Sequence, residues 1–136
     1  MSGVLPSYPR VLGMRVEPYE VFPNSAQGAA NTIPRDVTVV KVGANVNDTN
    51  DFFVLPSLAS VANGHQILVI AGAANCEVRT PASSAEEINS EDCDGTKEYL
   101  LTATQIHTFT KIDNTIGWMG EGRTAIGAYA TAVVPD

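Results

Sequence analysis

Thr124-Ala-Ile-Gly-Ala-Tyr-Ala-Thr-Ala-Val-Val-Pro-Asp136 alternates small and larger residues at a period of two and then meets a proline. Successive side chains of a strand point to opposite faces of a sheet, and proline cannot donate to the ladder. The stretch therefore predicts a last strand running out of a sheet, with Ala128, Ala130 and Ala132 small enough for close packing. Similar signals recur upstream as far as Arg35. Asp36-Val-Thr-Val-Val-Lys-Val42 is β-branched and stops at Gly43, and Asp51-Phe-Phe-Val-Leu55 stops at Pro56. His65-Gln-Ile-Leu-Val-Ile-Ala71 is a continuous apolar run, as expected of a strand covered on both faces. Cys76-Glu-Val-Arg-Thr80, Tyr99-Leu-Leu-Thr-Ala103, Gln105-Ile-His-Thr-Phe-Thr-Lys-Ile112 and Thr115-Ile-Gly-Trp-Met119 complete the set. About eight strands at roughly 10–13-residue spacing, with turn residues between them, predict an all-β domain, a β-sandwich or jelly-roll-like barrel, over residues 35–136. Helical signals are confined to single turns at Leu58–Ala62 and at Ser84–Ile88.

Residues 1–34 read differently. They hold five of the eight prolines (Pro6, Pro9, Pro18, Pro23 and Pro34), a spacing that argues against any strand or helix. They are nevertheless rich in apolar side chains, while Asn24-Ser-Ala-Gln-Gly-Ala-Ala-Asn-Thr32 is small and polar and reads as a hinge. Ordering such a segment costs more backbone entropy than its apolar side chains return on burial. The expectation is an extended N-terminal arm that orders against a neighbouring subunit or a larger scaffold. The alternative is an edge strand added to its own sheet.

Composition excludes several functions. At 136 residues, 44% apolar and only 17% charged, the chain is one domain able to bury a core without disulfides or metals. A net charge of −7 and eight scattered basic residues argue against nucleic acid and against an anionic membrane surface. No apolar run approaches the ~20 residues of a membrane-spanning helix. The opening residues lack the charged and apolar regions of a secretion signal. Cys76 and Cys93, 17 residues apart, read as free thiols of a protein made in a reducing cytoplasm, and His65 and His107 lie too far from them in sequence for zinc-type spacing.

No motif carries chemistry. Glu86 to Glu98 holds six acidic residues and one lysine, but Asp92-Cys-Asp94-Gly95 lacks the further ligands of a calcium loop. It reads as an exposed loop with a hairpin-type turn at Asp94-Gly95. His65 and His107 have no nucleophile signature beside them and read as half-exposed strand residues. Gly120-Glu-Gly-Arg-Thr124 lacks the third glycine and following helix of a phosphate cradle and reads as a turn between strands. Trp118, the only tryptophan, sits mid-strand, where packing in the core or at a subunit interface is the ordinary use. No cofactor, no metal and no enzymatic activity are expected.

From Asp51 to Asp136, about two-thirds of the chain, the sequence resembles small virion proteins of tailed bacteriophages. The resemblance is carried by Phe53-Val-Leu-Pro56, Gly64-His-Gln-Ile67, Thr80-Pro-Ala-Ser83, Ile88-Asn-Ser-Glu-Asp-Cys-Asp-Gly-Thr96, Tyr99-Leu-Leu-Thr-Ala103, Thr110-Lys111, Gly117-Trp118, Gly127-Ala128 and Val134-Pro-Asp136. These look like the capsid decoration (cement) proteins and related head or fibre modules. The resemblance implies a β-sandwich or jelly-roll-like domain, usually a homotrimer, on the outer capsid surface of the virion and bound to the major capsid protein. The arm falls outside it. On this reading Tyr8, Val11, Leu12, Met14, Tyr19 and Phe22 of the arm, with one sheet edge and Trp118, are the candidate capsid or subunit contacts. The alternatives are a head-fibre or tail-associated module that binds a receptor or carbohydrate, which calls for exposed aromatic side chains, and a β-sandwich hydrolase.

Overall fold

The computed structural model describes residues 17–44, 48–95 and 97–123. Among the described residues ten strands form two sheets. They are β1 (Tyr19–Val21), β2 (Val39–Val42), β3 (Phe52–Val54), β4 (Gln66–Ile70), β5 (Cys76–Arg79), β6 (Glu87–Ile88), β7 (Glu91–Asp92), β8 (Tyr99–Leu101), β9 (Ile106–Asp113) and β10 (Gly117–Arg123). The large sheet has the order β1-β2-β4-β9-β10-β6-β7, and the small one β3-β5-β8. Their inner faces share one hydrophobic core, with Val40, Ile67, Val69, Phe109 and Trp118 from the large sheet and Phe53, Val78, Tyr99 and Leu101 from the small one. The molecule is thus sandwich-like and all-β. Its sheets are mixed. β1, β2 and β4 run parallel, as do β3 and β5, while β9 is antiparallel to both β4 and β10.

The seven strands expected between Asp36 and Met119 are all present, with shorter or shifted bounds. The predicted last strand, from Thr124 on, lies outside the described residues. Of the turn expected at Gly120–Thr124, the described residues Gly120 to Arg123 are instead the second half of β10. Gly120 lies opposite Phe109 and Gly122 opposite His107 in the register with β9. A Cβ at Gly122 would stand 2.6 Å from the His107 ring, and one at Gly120 would stand 2.8 Å from Tyr99 and 2.9 Å from Phe109. These glycines are strand residues whose missing side chains make room for rings, a use of glycine in strands where another group approaches closely.

The acidic stretch also differs. β6 and β7 form a hairpin closed by Asn89 and Ser90, both at positive φ (54° and 69°), the geometry of a tight two-residue hairpin turn. Ser84–Ile88 contains no helical turn. Asp94 and Gly95 lie in a turn that leads from β7 toward β8 in the other sheet, so they do not close a hairpin. The side chain of Asn89 extends the ladder beyond Ile88: its Oδ1 accepts from Gly120 N at 2.8 Å and its Nδ2 donates to Gly120 O at 3.2 Å.

The arm does not reach as far as residue 34. Between Pro18 and Pro23 there is room for a three-residue strand, and β1 takes it at the sheet edge, where a flanking proline costs no ladder bond. Val21 and Ile33 are fully buried in the shared core. The segment read as a hinge is pinned. Asn24 and Phe52 exchange two backbone bonds of 3.0 Å, and Ile33 N donates to Val54 O at 2.9 Å. A 3-10 turn, Ala29–Asn31, lies between these anchors, and the Asn31 amide donates to Ala26 O at 3.0 Å and to Phe52 O at 2.9 Å. Residues 19–34 thus belong to the body, as the edge-strand alternative expects. Residues 1–16 lie outside the described residues.

Candidate interaction surface

The same strands that bury one face of the large sheet leave the other open. Period two puts Val40, Val42, Ile67, Val69, His107, Phe109 and Lys111 inward, and all are buried. The intervening residues point outward, and the strand register aligns them in rows across the sheet. One row runs Glu20, Lys41, Ile70, Ile106, Arg123 over five strands. The next runs Val39, Leu68, Thr108, Glu121, and a third Gln66, Thr110, Met119. Ile70, Ile106, Met119 and Ile112 are exposed, and Val39, Leu68, Thr108 and Thr110 are half-buried by their neighbours. The centre of this face is aliphatic and threonine-rich, and its charges are two acids and two bases. Toward β6 and β7 the face turns acidic, because Ile88 is buried and leaves its neighbour Glu87, with Glu87's cross-strand partner Asp92, on the outer side. A shallow hollow beside Glu20 and Lys41, walled by Gly43, Ala44 and Gly72, continues the face past its first row.

The inward side chains with chemical potential are committed to packing. His107 is fully buried, not half-exposed as expected. Its Nε2 lies 3.0 Å from Gln105 Oε1, which only accepts, so Nε2 carries the proton and Nδ1 accepts from the Tyr99 hydroxyl at 2.8 Å. Burial holds this imidazole neutral, with its pKa lowered from 6.5 to about 4. Burial also raises the Tyr99 phenol above its ordinary value, so it remains a donor. Lys111 is buried in the middle of β9 and its Nζ donates to Leu58 O at 2.6 Å and Val61 O at 2.8 Å. Those carbonyls close the 3-10 turn Leu58–Ser60, whose leading N–H, on Leu58, donates to Glu86 Oε1 at 3.0 Å. Ammonium and carboxylate thus hold the two ends of one turn, the charge placement that a turn of aligned peptide dipoles favours. Burial raises the Glu86 carboxyl above the ordinary carboxylate range.

The small sheet carries its own ionic group. Arg79 reaches Glu77 at 2.7 Å and Glu98 at 3.0 Å, and its guanidinium lies 4.1 Å from the centre of the Phe52 ring. One planar cation is shared by two largely buried carboxylates and stacked on a ring, an arrangement that fixes side chains. Cys76 and Cys93 are both buried and unbridged. Burial pushes their thiols up to about 12 and about 11, far from thiolate chemistry at neutral pH. His65, half-buried ahead of β4, places Nε2 3.1 Å from Val37 O. Among the described residues no group of three metal-ligating side chains comes together, and no helix is long and apolar enough to cross a membrane.

The expected contact residues fall in three places. Tyr8, Val11, Leu12 and Met14 lie outside the described residues. Tyr19 packs half-buried against the core, and Phe22 is half-buried with its ring against Gly43, where a Cβ would come within 2.6 Å. Trp118 is fully buried in the core and is no surface contact. Among the described residues its Nε1 is the buried side-chain polar atom without a hydrogen-bond partner. Sequence reasoning missed the outer face of the large sheet because it is assembled from residues of five strands, and because the apolar run of β4, expected to be covered on both faces, leaves Gln66 and Ile70 exposed on one. No family model matches the chain, and no curated protein is similar to it.

Proposed function

We propose that this chain is a non-enzymatic virion protein that binds the outer surface of an assembled phage capsid and stabilises the shell by clamping neighbouring major capsid subunits. The observation that carries the reading is the division within the large sheet. Histidine, lysine and aromatic groups face inward and are satisfied by packing, while an aliphatic face stays open to solvent. Contiguous exposed apolar surface of this kind marks an interaction site. The exposed large apolar side chains among the described residues are Ile70, Leu100, Ile106, Ile112, Ile116 and Met119, none aromatic. Such a surface suits a protein partner better than a sugar, which favours the shell-binding reading over a carbohydrate-binding fibre module. The resemblance to decoration proteins points the same way. A ligand that binds the assembled lattice and not the free subunit stabilises the lattice by linkage, and several copies on one shell multiply weak contacts.

The segment 1–16 supplies further apolar side chains (Val4, Leu5, Tyr8, Val11, Leu12 and Met14) directly ahead of β1. The test is co-sedimentation with assembled shells and with free shell subunits of the phage that encodes the chain. The full chain should bind assembled shells in preference to free subunits and raise the temperature at which shells open. A chain lacking residues 1–16 should keep its circular dichroism spectrum and bind at least tenfold more weakly. Removal should stop there, because deleting to residue 30 strips β1 and the bonds of Asn24 to Phe52. Absence of binding to assembled shells, or equal binding to free subunits, overturns the proposal.

A further inference from the structure

We infer that the outer edge of β8 is a strand-docking site and that residues 124–134 of the same chain fill it, running antiparallel to β8. The argument comes from topology. β2, β4 and β9 lie side by side in the large sheet, and β3, β5 and β8 lie side by side in the small one. β2 leads to β3, β4 leads to β5, and β8 leads to β9, so each strand of one series is joined to its counterpart in the other. All three joins meet the large sheet at the end marked by Lys41, Ile70 and Ile106. β10 is the next strand of the large sheet, and it ends at that same end, with Arg123 opposite Ile106. Among the described residues β10 has no counterpart in the small sheet, and the position that continues the series is the far edge of β8. Residues 124–136 follow Arg123 directly. β4 and β5 are joined by residues 71–75, and β8 and β9 by residues 102–105. A join of similar length leaves about eight residues, an ordinary strand.

The edge itself is ready for a strand. Glu77 N donates to Asp51 O and Leu55 N to Arg79 O, so Glu77 and Arg79 direct their backbone groups toward β3. Cys76 and Val78 therefore direct theirs toward Leu101 and Tyr99, and Leu100 turns its N–H and C=O away from β5. The other sheet edges are guarded. β1 lies between Pro18 and Pro23, β7 is two acidic residues, and β3 is flanked by the bridges of Asn24 and Thr32. β8, Tyr-Leu-Leu, carries neither charge nor proline, and a bare edge is a template for another strand. The segment matches it. At period two Ile126, Ala128, Ala130 and Ala132 share one side, and Tyr129 and Thr131 the other. Small side chains suit the inner side, because the rings of Tyr99, Phe109 and His107 already fill the space over Gly120 and Gly122. On the outer side Tyr129 gains the exposed Leu100 as a neighbour. A hairpin back along β10 is blocked, since Asn89 holds that edge at Gly120. The inference is independent of the capsid reading, since it concerns the isolated chain. With this edge closed by its own chain, partners are met by sheet faces.

Amide hydrogen exchange and nuclear Overhauser contacts, measured by NMR on the full chain, test it. The Leu100 amide should exchange slowly and should show cross-strand contacts to α-protons within residues 124–134. In a chain ending at Arg123 the Leu100 amide should exchange at least about a hundredfold faster, while that of Tyr99, which faces Val78, changes far less. If the shorter chain does not fold, the contacts in the full chain decide. A Leu100 amide that exchanges freely in the full chain overturns the inference. So does protection that survives the truncation, or contacts from Leu100 to some other part of the sequence. In a mixture of labelled and unlabelled copies the contacts should arise within one molecule. Contacts found only between copies would give the edge to a second molecule and overturn the inference as well.

Discussion

The two faces of β9 differ more than their sequences do. Inward it carries His107, Phe109 and Lys111, and outward Ile106, Thr108, Thr110 and Ile112. By hydropathy alone the outward set is the more apolar, with isoleucine at both ends. The strand nevertheless buries a histidine and a lysine and exposes two isoleucines. What decides the orientation is the supply of partners. Gly120 and Gly122 open room for rings on the inner face, Tyr99 and Gln105 satisfy the imidazole, and two carbonyls of the turn at Leu58 satisfy the ammonium. Buried polar groups are tolerated where each hydrogen bond is replaced, as it is for His107 and Lys111. The inner face is therefore specified by polar satisfaction and packing together, while the outer face carries the half-exposed pair Gln66 and Thr110, joined at 3.2 Å.

Substitutions on the inner face should cost stability in proportion to what they leave unfilled or unpaired. Trp118→Ala empties the largest fully buried side chain of the core and should lower unfolding free energy by about 4 kcal/mol in urea titrations followed by circular dichroism. Lys111→Met keeps the volume but leaves Leu58 O and Val61 O without their donor, and should cost about 3 kcal/mol by the same measurement. A loss under 1 kcal/mol would mean that the turn finds other donors and that the lysine is a passenger.

His107 sharpens the contrast through pH. Its folded pKa is about 4, against 6.5 ordinarily, so between those values the unfolded chain binds more protons than the folded one. Stability from this group is complete above pH 6.5 and is lost as pH falls toward 4, by up to about 3 kcal/mol. His107→Gln, whatever its own stability at pH 7, should lose this part of the slope in urea midpoints measured from pH 7 to 4. On the outer face the effects should nearly vanish. Thr108→Ala should change stability by no more than about 0.5 kcal/mol, and a larger loss would show that the outer face contributes to the fold after all.

These same residues explain how much was legible in advance. β2, β4 and β9 were readable because β-branched or alternating runs are bounded by glycine or turn residues. β1 was not, because two flanking prolines mask a strand short enough to fit between them at an edge. β6 and β7 were not, because two-residue strands among glutamates have no period to detect. The burial of His107 and Lys111 was hidden because alternation identifies two faces without saying which is inner. The signal that chooses is Gly120 and Gly122, spaced by two like strand residues although G-x-G also fits a turn. Of the expected contact residues, Tyr19, Phe22 and Trp118 are committed to the body. The open face that carries the functional proposal emerges only when five strands are set in register.

The lone indole has a practical consequence. Trp118 is fully enclosed in the core, and among the described residues its N–H has no hydrogen-bond partner. An indole so shielded emits at short wavelength and shifts to the red when water reaches it. As the chain holds no other tryptophan, its emission reports on the integrity of the sandwich and is blind to anything that settles on the far side of β10. Intrinsic fluorescence therefore separates a variant that has lost its partner from one that has lost its shape.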